Sequence, residues 1–300
     1  MAATLLAVIV ALAVGHLAPD IATGVRQHGW FGGWLRWLNA QFPDGSFWRG
    51  RHGIALALAL PLLVVGLFQV ALREPLWGFV GVLFAVVVLF HCWGPRDLDL
   101  DVAGVLDAPD AASRRHAASR LWAHAAGARM DGPSLVEAVF RNALRRWFGV
   151  LFWFLLLGPF GAVLYRLSVL AVERDDTQLA HETAAGARAW LALLEWPVAQ
   201  LMTLGLALVG NFDSVMAAWR EDDAFALHGD LLGAAARASV RSEIAEEAAD
   251  YAESGVSAST AIIEVFGELP ELRDAMNLAW RILILWLAVI ALYVVAGWVG

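Results

Sequence analysis

Few residues in this chain could do chemistry, and several chemistries are excluded at once. All 21 basic residues are arginine, so a phosphate-binding P-loop, a pyridoxal Schiff base and a kinase-type strand lysine have no lysine to use. The eight histidines are scattered, and no pair stands at a metal-ligand spacing with a carboxylate on the same helix. There is no G-x-S-x-G elbow and no G-x-G-x-x-G after a strand. Asp97, Asp99, Asp101, Asp107 and Asp110 alternate with apolar residues, but this spacing lacks the glycine turn and closing glutamate of a calcium loop. Capping of short helices is the reading preferred for them. No catalytic residue, metal or cofactor is expected.

What remains is a set of polar residues kept at or inside apolar runs: Glu137, Asn142, Tyr165, Arg166, Glu195, Asn211 and Asp213. An ionisable residue is costly in a membrane segment and by default faces a cavity or a partner. We therefore take these seven as a candidate ligand or partner cleft. Glu195 precedes Pro197 by two residues. If its apolar run starts at Trp190, Glu195 is intramembrane; if the run starts at Leu194, it is interfacial.

The elements that must position them are membrane helices. The chain is 60% hydrophobic and 17% charged, with a mean hydropathy of +0.62, too apolar for an ordinary soluble domain. The expected fold is all-α, a polytopic transmembrane bundle of about four to six spans with helical extramembrane loops. Apolar runs cover Ala2–Leu17, Ile54–Leu72, Leu76–Trp93, Trp147–Tyr165, Trp190–Val209 and Ile282–Val299. Trp77, Trp93, Trp147, Trp196, Trp280 and Trp298 lie at or near run edges, where indole favours the interface. The first run is short and has no basic residue before it or small-residue cleavage pattern after it, so it reads as a thin span or a re-entrant helix rather than a removed signal peptide. His16 and Asp20 stand one turn apart at its end, as a pair or as a solvated helix end.

The run Trp147–Tyr165 holds no charge and is expected to cross as one helix, pinned by Arg145 and Arg146 before it and Arg166 after it as their long stems snorkel. Phe154, Gly158, Gly161, Ala162 and Tyr165 recur at helical spacing. They form a face, small in its middle, for close helix packing, with Asn142 and Tyr165 as possible caps of a polar cleft. Trp30–Leu38 reads as an interfacial amphipathic helix within loop 18–53.

We treat 1–300 as one membrane-embedded domain with two polar inserts. Segment 94–146 is soluble in character and includes an Ala-rich helical run from Ala111 to Ala126, with a helix start at Asp131–Ser134. Segment 211–279 is helical and acidic, with Glu243, Glu246, Glu247, Asp250 and Glu253 as a solvated face. There is no internal repeat or low-complexity linker. If all six runs cross, loops 18–53, 94–146 and 211–279 share one side, with Arg73, Arg174 and Arg188 on the other. The positive-inside rule then puts the three loops in the cytoplasm and both termini outside; if the first and fifth runs only dip into the membrane, the last loop changes side. The lone Cys92 forms no internal disulfide. A net charge of −8 without a basic stripe excludes a nucleic-acid partner and leaves the lipid bilayer as the evident one.

Glu137 with Asn142, then Phe152, Trp153, Gly158, Pro159, Gly161, Ala162, Tyr165 and Arg166, and later Glu195, Trp196 and the string LVGNFD ending at Asp213, resemble the AmpE family of bacterial inner-membrane proteins. The resemblance covers most of the chain, with its specific part between about 94 and 220. It implies a multi-pass inner-membrane protein linked to cell-wall state and β-lactamase induction, with a cell-wall metabolite or a protein as partner; it leaves the molecular activity open, and a non-enzymatic role is the reading preferred. More distantly the chain is similar to the CobD/CbiB family, which would imply a membrane-embedded enzyme acting on a nucleotide-linked or cobalamin-type intermediate. That family carries Asn-Thr and an acid after its tyrosine and basic residue, where this chain has Leu167, Ser168, Val169, Leu170 and Ala171. It also has an acid soon after the asparagine, where Arg145 and Arg146 stand here. In the AmpE pattern a proline and an arginine follow the Glu-Trp pair. Here Pro197 comes one residue early and Gln200 takes the arginine's place.

Overall fold

A chain segment that must hide its own backbone polar groups does so most simply as a helix, and the apolar runs of this protein do so where they are described. The computed structural model describes residues 8, 28–43, 45–72, 78–94, 97–122, 129–174, 179–221, 230–253 and 269–297. The expectations for the first run, for His16 and Asp20, for Arg73 and for Trp77 and Trp298 lie outside these residues. All regular structure among the described residues is helical, so the all-α expectation holds. Among the described residues three helices are long and apolar enough to cross a membrane, Gly53–Ala71, His181–Val209 and Pro270–Val295, and Phe79–Cys92 is a shorter apolar helix.

The chain divides into two compact units. One comprises Met1–Arg96, Arg145–Trp196 and Ile290–Gly300, the other Asp97–Leu144 and Pro197–Val289.

In the first unit, α1 (Gly29–Gln41) buries Phe31, Leu35 and Leu38. It leaves Trp30 and Trp37 half exposed, so the amphipathic helix expected at Trp30–Leu38 is present. Its buried face packs with Ile54, Ala57 and Leu58 of α2 (Gly53–Ala71) and Leu167, Leu170 and Ala171 further on. Pro61 inside α2 cannot donate to the carbonyl of Ala57, four residues back. The Trp34 indole of α1 donates to that carbonyl instead, at 3.0 Å. The outer face of α2 carries exposed Leu63, Leu67, Phe68 and Val70, a surface suited to lipid rather than water. α3 (Gly78–Cys92) follows.

The central apolar run does not cross as one helix. A π-helical turn at Leu144–Phe148 leads into α7 (Gly149–Leu157), where the chain reverses and returns as α8 (Pro159–Glu173); α4 to α6 belong to the second unit. Gly158 makes the reversal with φ +70° and ψ −153°, a conformation open to glycine and strained for other residues. Pro159 then starts α8 at a position that needs no intrahelical donor. The two arms lie antiparallel and close. A Cβ on Gly161 would meet the Trp153 carbonyl oxygen, and one on Gly149 would meet the Tyr165 ring. At the tip, Gln69 of α2 donates from Nε2 to the Leu157 carbonyl at 3.0 Å and accepts from the Phe160 N–H at 2.8 Å. One side-chain amide thus replaces hydrogen bonds that the break removes. The expected packing face is real, but Gly161 uses it for the hairpin's own other arm.

The hairpin also corrects the expected topology. α8 runs back along α2, with Phe160 beside Gly66 and Ala171 in the cluster that holds Ile54. Glu173 and Arg174, and then residues 179–186, therefore lie at the end of the unit where Arg145 and Arg51 stand, not at the opposite one. Thr183 Oγ1 donates to the Trp48 carbonyl at 2.9 Å, and Gly186 lies against the Arg51 carbonyl. α9 (His181–Val209) starts here, nine residues before the expected apolar start at Trp190.

In the second unit, α4 (Leu98–Leu106) packs with α5 (Ala111–Ala118), and α6 (Gly132–Ala143) with α11 (Leu231–Glu253), which also packs with α10 (Phe212–Glu221). α6 buries Leu135, Val136, Val139, Phe140 and Ala143, one face at helical spacing. Asp110 caps α5 by accepting from the Ala112 and Ser113 amides, and Asp131 caps α6 by accepting from Ser134. Each caps a helix start as the sequence suggests. Of the helical run expected from Ala111 to Ala126, α5 covers Ala111–Ala118 and a 3-10 turn covers Ser119–Leu121, while 123–126 lie outside the described residues. α12 (Pro270–Val295) starts well before the expected Ile282. Its Trp280 donates to Asp99 Oδ1 at 2.7 Å.

Candidate functional site

In the first unit the polar residues gather where the hairpin arms open. Arg145 sits on the π-helical turn, the kind of local rewinding often found at functional positions. Its Nε donates to Glu195 Oε1 at 2.7 Å, and its Nη1 reaches Glu173 Oε1 at 3.4 Å. One cation is thus shared between α9 and the far end of the hairpin, and the three side chains are only 17–29% exposed. Of the two carboxylate partners of Arg145, Glu195 is the closer. It lies in the middle of a 29-residue helix, and its charge is met by Arg145. Nearby, the Trp153 indole donates to the Leu194 carbonyl at 3.1 Å, next to the Leu193 carbonyl that Pro197 leaves without a helical donor.

Tyr165 is fully buried, its ring filling the space left by Gly149. Arg166 does not snorkel. It is 1% exposed, and its Nε and Nη2 have no hydrogen-bond partner within the structure. It forms part of the wall of a cavity of about 730 Å³ shared by α1, α2, α3 and α8.

In the second unit the remaining candidates are each engaged locally. Glu137 pairs with Arg237 of α11, which also reaches Asp230 at 3.3 Å. Asn142 donates to the Leu121 and Ala138 carbonyls at 2.7 and 2.8 Å, so it ties backbone together rather than capping a cleft. Asn211 caps α10 by accepting from the Ser214 amide at 3.0 Å and donates to Glu246 Oε1 at 2.9 Å. Asp213 is exposed in the first turn of α10, where its charge suits the helix dipole. Glu243 of α11 meets Arg281 at 2.7 Å. Burial pushes its carboxyl upward, and Arg281 opposes this.

The structure therefore brings Tyr165, Arg166 and Glu195 together in one unit, while Glu137, Asn142, Asn211 and Asp213 belong to the other. Sequence reasoning missed Glu173 and Arg237, and gave Arg145 an anchoring role only. The signal for Arg145 was Glu195 itself, since a carboxylate inside an apolar run demands a cation. Among these groups the arrangement shown is a carboxylate paired with a guanidinium, Glu195 with Arg145.

Among the described residues, fold and site define an all-helical protein with three candidate membrane spans and an ion-paired hairpin. No protein-family model, no curated protein and no solved structure matches the chain.

Proposed function

We propose that this chain is a bacterial inner-membrane protein of AmpE type, crossing the bilayer several times, that binds a cell-envelope metabolite or protein partner without turning it over. Through that binding it relays cell-wall state to β-lactamase induction. The observation that carries the reading is the sharing of Arg145 between Glu195 and Glu173. Two carboxylates competing for one guanidinium form a junction with more than one stable arrangement. A ligand or partner that takes either carboxylate, or the arginine, changes how α9 is tied to the hairpin, the kind of local charge event that drives switching. A glutamate already held by an arginine is a poor general base, which favours binding over catalysis. Arg49, Arg51, Arg145, Arg146 and Arg174 gather at one end of the first unit, and the positive-inside rule assigns that end to the cytoplasm.

The test is complementation of a deletion strain with a β-lactamase reporter. Glu195→Gln should alter the induction response at unchanged membrane level of the protein. An unaltered response contradicts the reading. If purified protein turns over a nucleotide-linked intermediate, and Glu195→Ala or Asn142→Ala abolishes that turnover, the CobD/CbiB-like enzyme replaces it.

A further inference from the structure

The cavity on the first unit has an unusual chemical composition. Trp34 of α1, Val64 of α2, Val87 of α3 and Val163 of α8 make its walls apolar, and its polar contributors are His28, His91 and Arg166. Its volume of about 730 Å³ falls within the ~300–1,000 Å³ of pockets that take small organic ligands. It opens between helices whose outer faces are apolar, with Leu60 and Val87 more than half exposed. A molecule entering it comes from lipid.

Arg166 supplies the second observation. A guanidinium taken out of water needs its N–H groups satisfied, yet Nε and Nη2 lack a partner. These two nitrogens form one edge of the planar group, the edge that takes a carboxylate or phosphate by two parallel hydrogen bonds. Glu173, which acts on Arg166 electrostatically, is engaged by Arg145. The polar contributors cluster where α3 ends, at His91 and Cys92, whereas Val64 and Val65 lie in the middle of α2. Charge at a helix end with an apolar wall running inward matches the shape of a lipid, head at the interface and chain in the hydrocarbon.

We propose that this cavity binds a membrane lipid with an acidic head, its oxyanion on Arg166 and its chain along α2 and α3. The site stands independently of the signalling role, because it uses neither Glu195 nor Arg145.

The test is scintillation-proximity binding of tritiated palmitate to the full chain in detergent. Expected is saturable binding displaced by unlabelled palmitate and not by palmityl alcohol or inorganic phosphate. Arg166→Met should weaken it at least tenfold. Val64→Trp, which fills the cavity and leaves the cation in place, should weaken it by a similar factor. Equal displacement by the alcohol, displacement by phosphate, or wild-type binding in Arg166→Met overturns the proposal. If Arg166→Met fails to give a monodisperse protein, Val64→Trp decides alone, and undiminished binding there also overturns it.

Discussion

Glu195 in the first unit and Glu137 in the second each face an arginine, and their own exposures, 17% and 30%, differ too little to rank the two pairs. The surroundings rank them. Glu195 lies within the apolar stretch Trp190–Val209 of α9, with Arg145 on a turn that leads into the hairpin. Glu137 lies on the polar side of amphipathic α6, where Arg237 has a second acidic neighbour in Asp230, itself more than half exposed. A pair that water can replace contributes little, whereas a pair set among apolar groups leaves a stranded charge when one member goes. The same two residue types thus serve as a structural junction in one unit and as ordinary surface electrostatics in the other.

This contrast can be broken by substitution. Arg145→Met strands two carboxylates and should cost on the order of 3 kcal/mol, read as thermal unfolding in detergent. Adding Glu195→Gln to it should restore part of the loss, and if Arg145→Met is silent the junction has no structural role. Gln69→Leu removes both hydrogen bonds at the hairpin tip, which are exposed and part-buried, and should cost about 1–2 kcal/mol for two backbone groups left unpaired. Glu137→Gln should cost no more than about 1 kcal/mol and lose even that at high salt. A Glu137 effect as large as that of Arg145 would erase the distinction between the units.

The helices were legible because apolar periodicity and length are local properties. Ile54–Leu72 and Leu76–Trp93 match α2 and α3 closely, and the capping residues Asp110 and Asp131 sit where a cap was needed. The fold-back was not legible from hydropathy, since an apolar run has the same composition whether it crosses once or returns. Its signal was the Gly158-Pro159 pair in mid-run, which punctuates a helix more often than it continues one. The partners of the polar residues were hidden for another reason. Arg145 and Glu195 are 50 residues apart in sequence, and Trp34 meets the carbonyl freed by Pro61 across 23. Such pairings depend on which helices become neighbours. Arg166 was the costliest misreading, because a flanking arginine normally reaches water, and only the return path of α8 buries it.

The central claim is that Arg141–Glu173 enters and leaves from one side. Single cysteines at His52 and His181, both exposed, in a Cys92→Ser background can be labelled with a membrane-impermeant maleimide in right-side-out and inverted vesicles. The hairpin predicts that both positions label from the same face, since Trp48 and Thr183 are hydrogen-bonded at one end of the unit. Labelling of His52→Cys and His181→Cys from opposite faces would mean that the run crosses once, and would contradict the account.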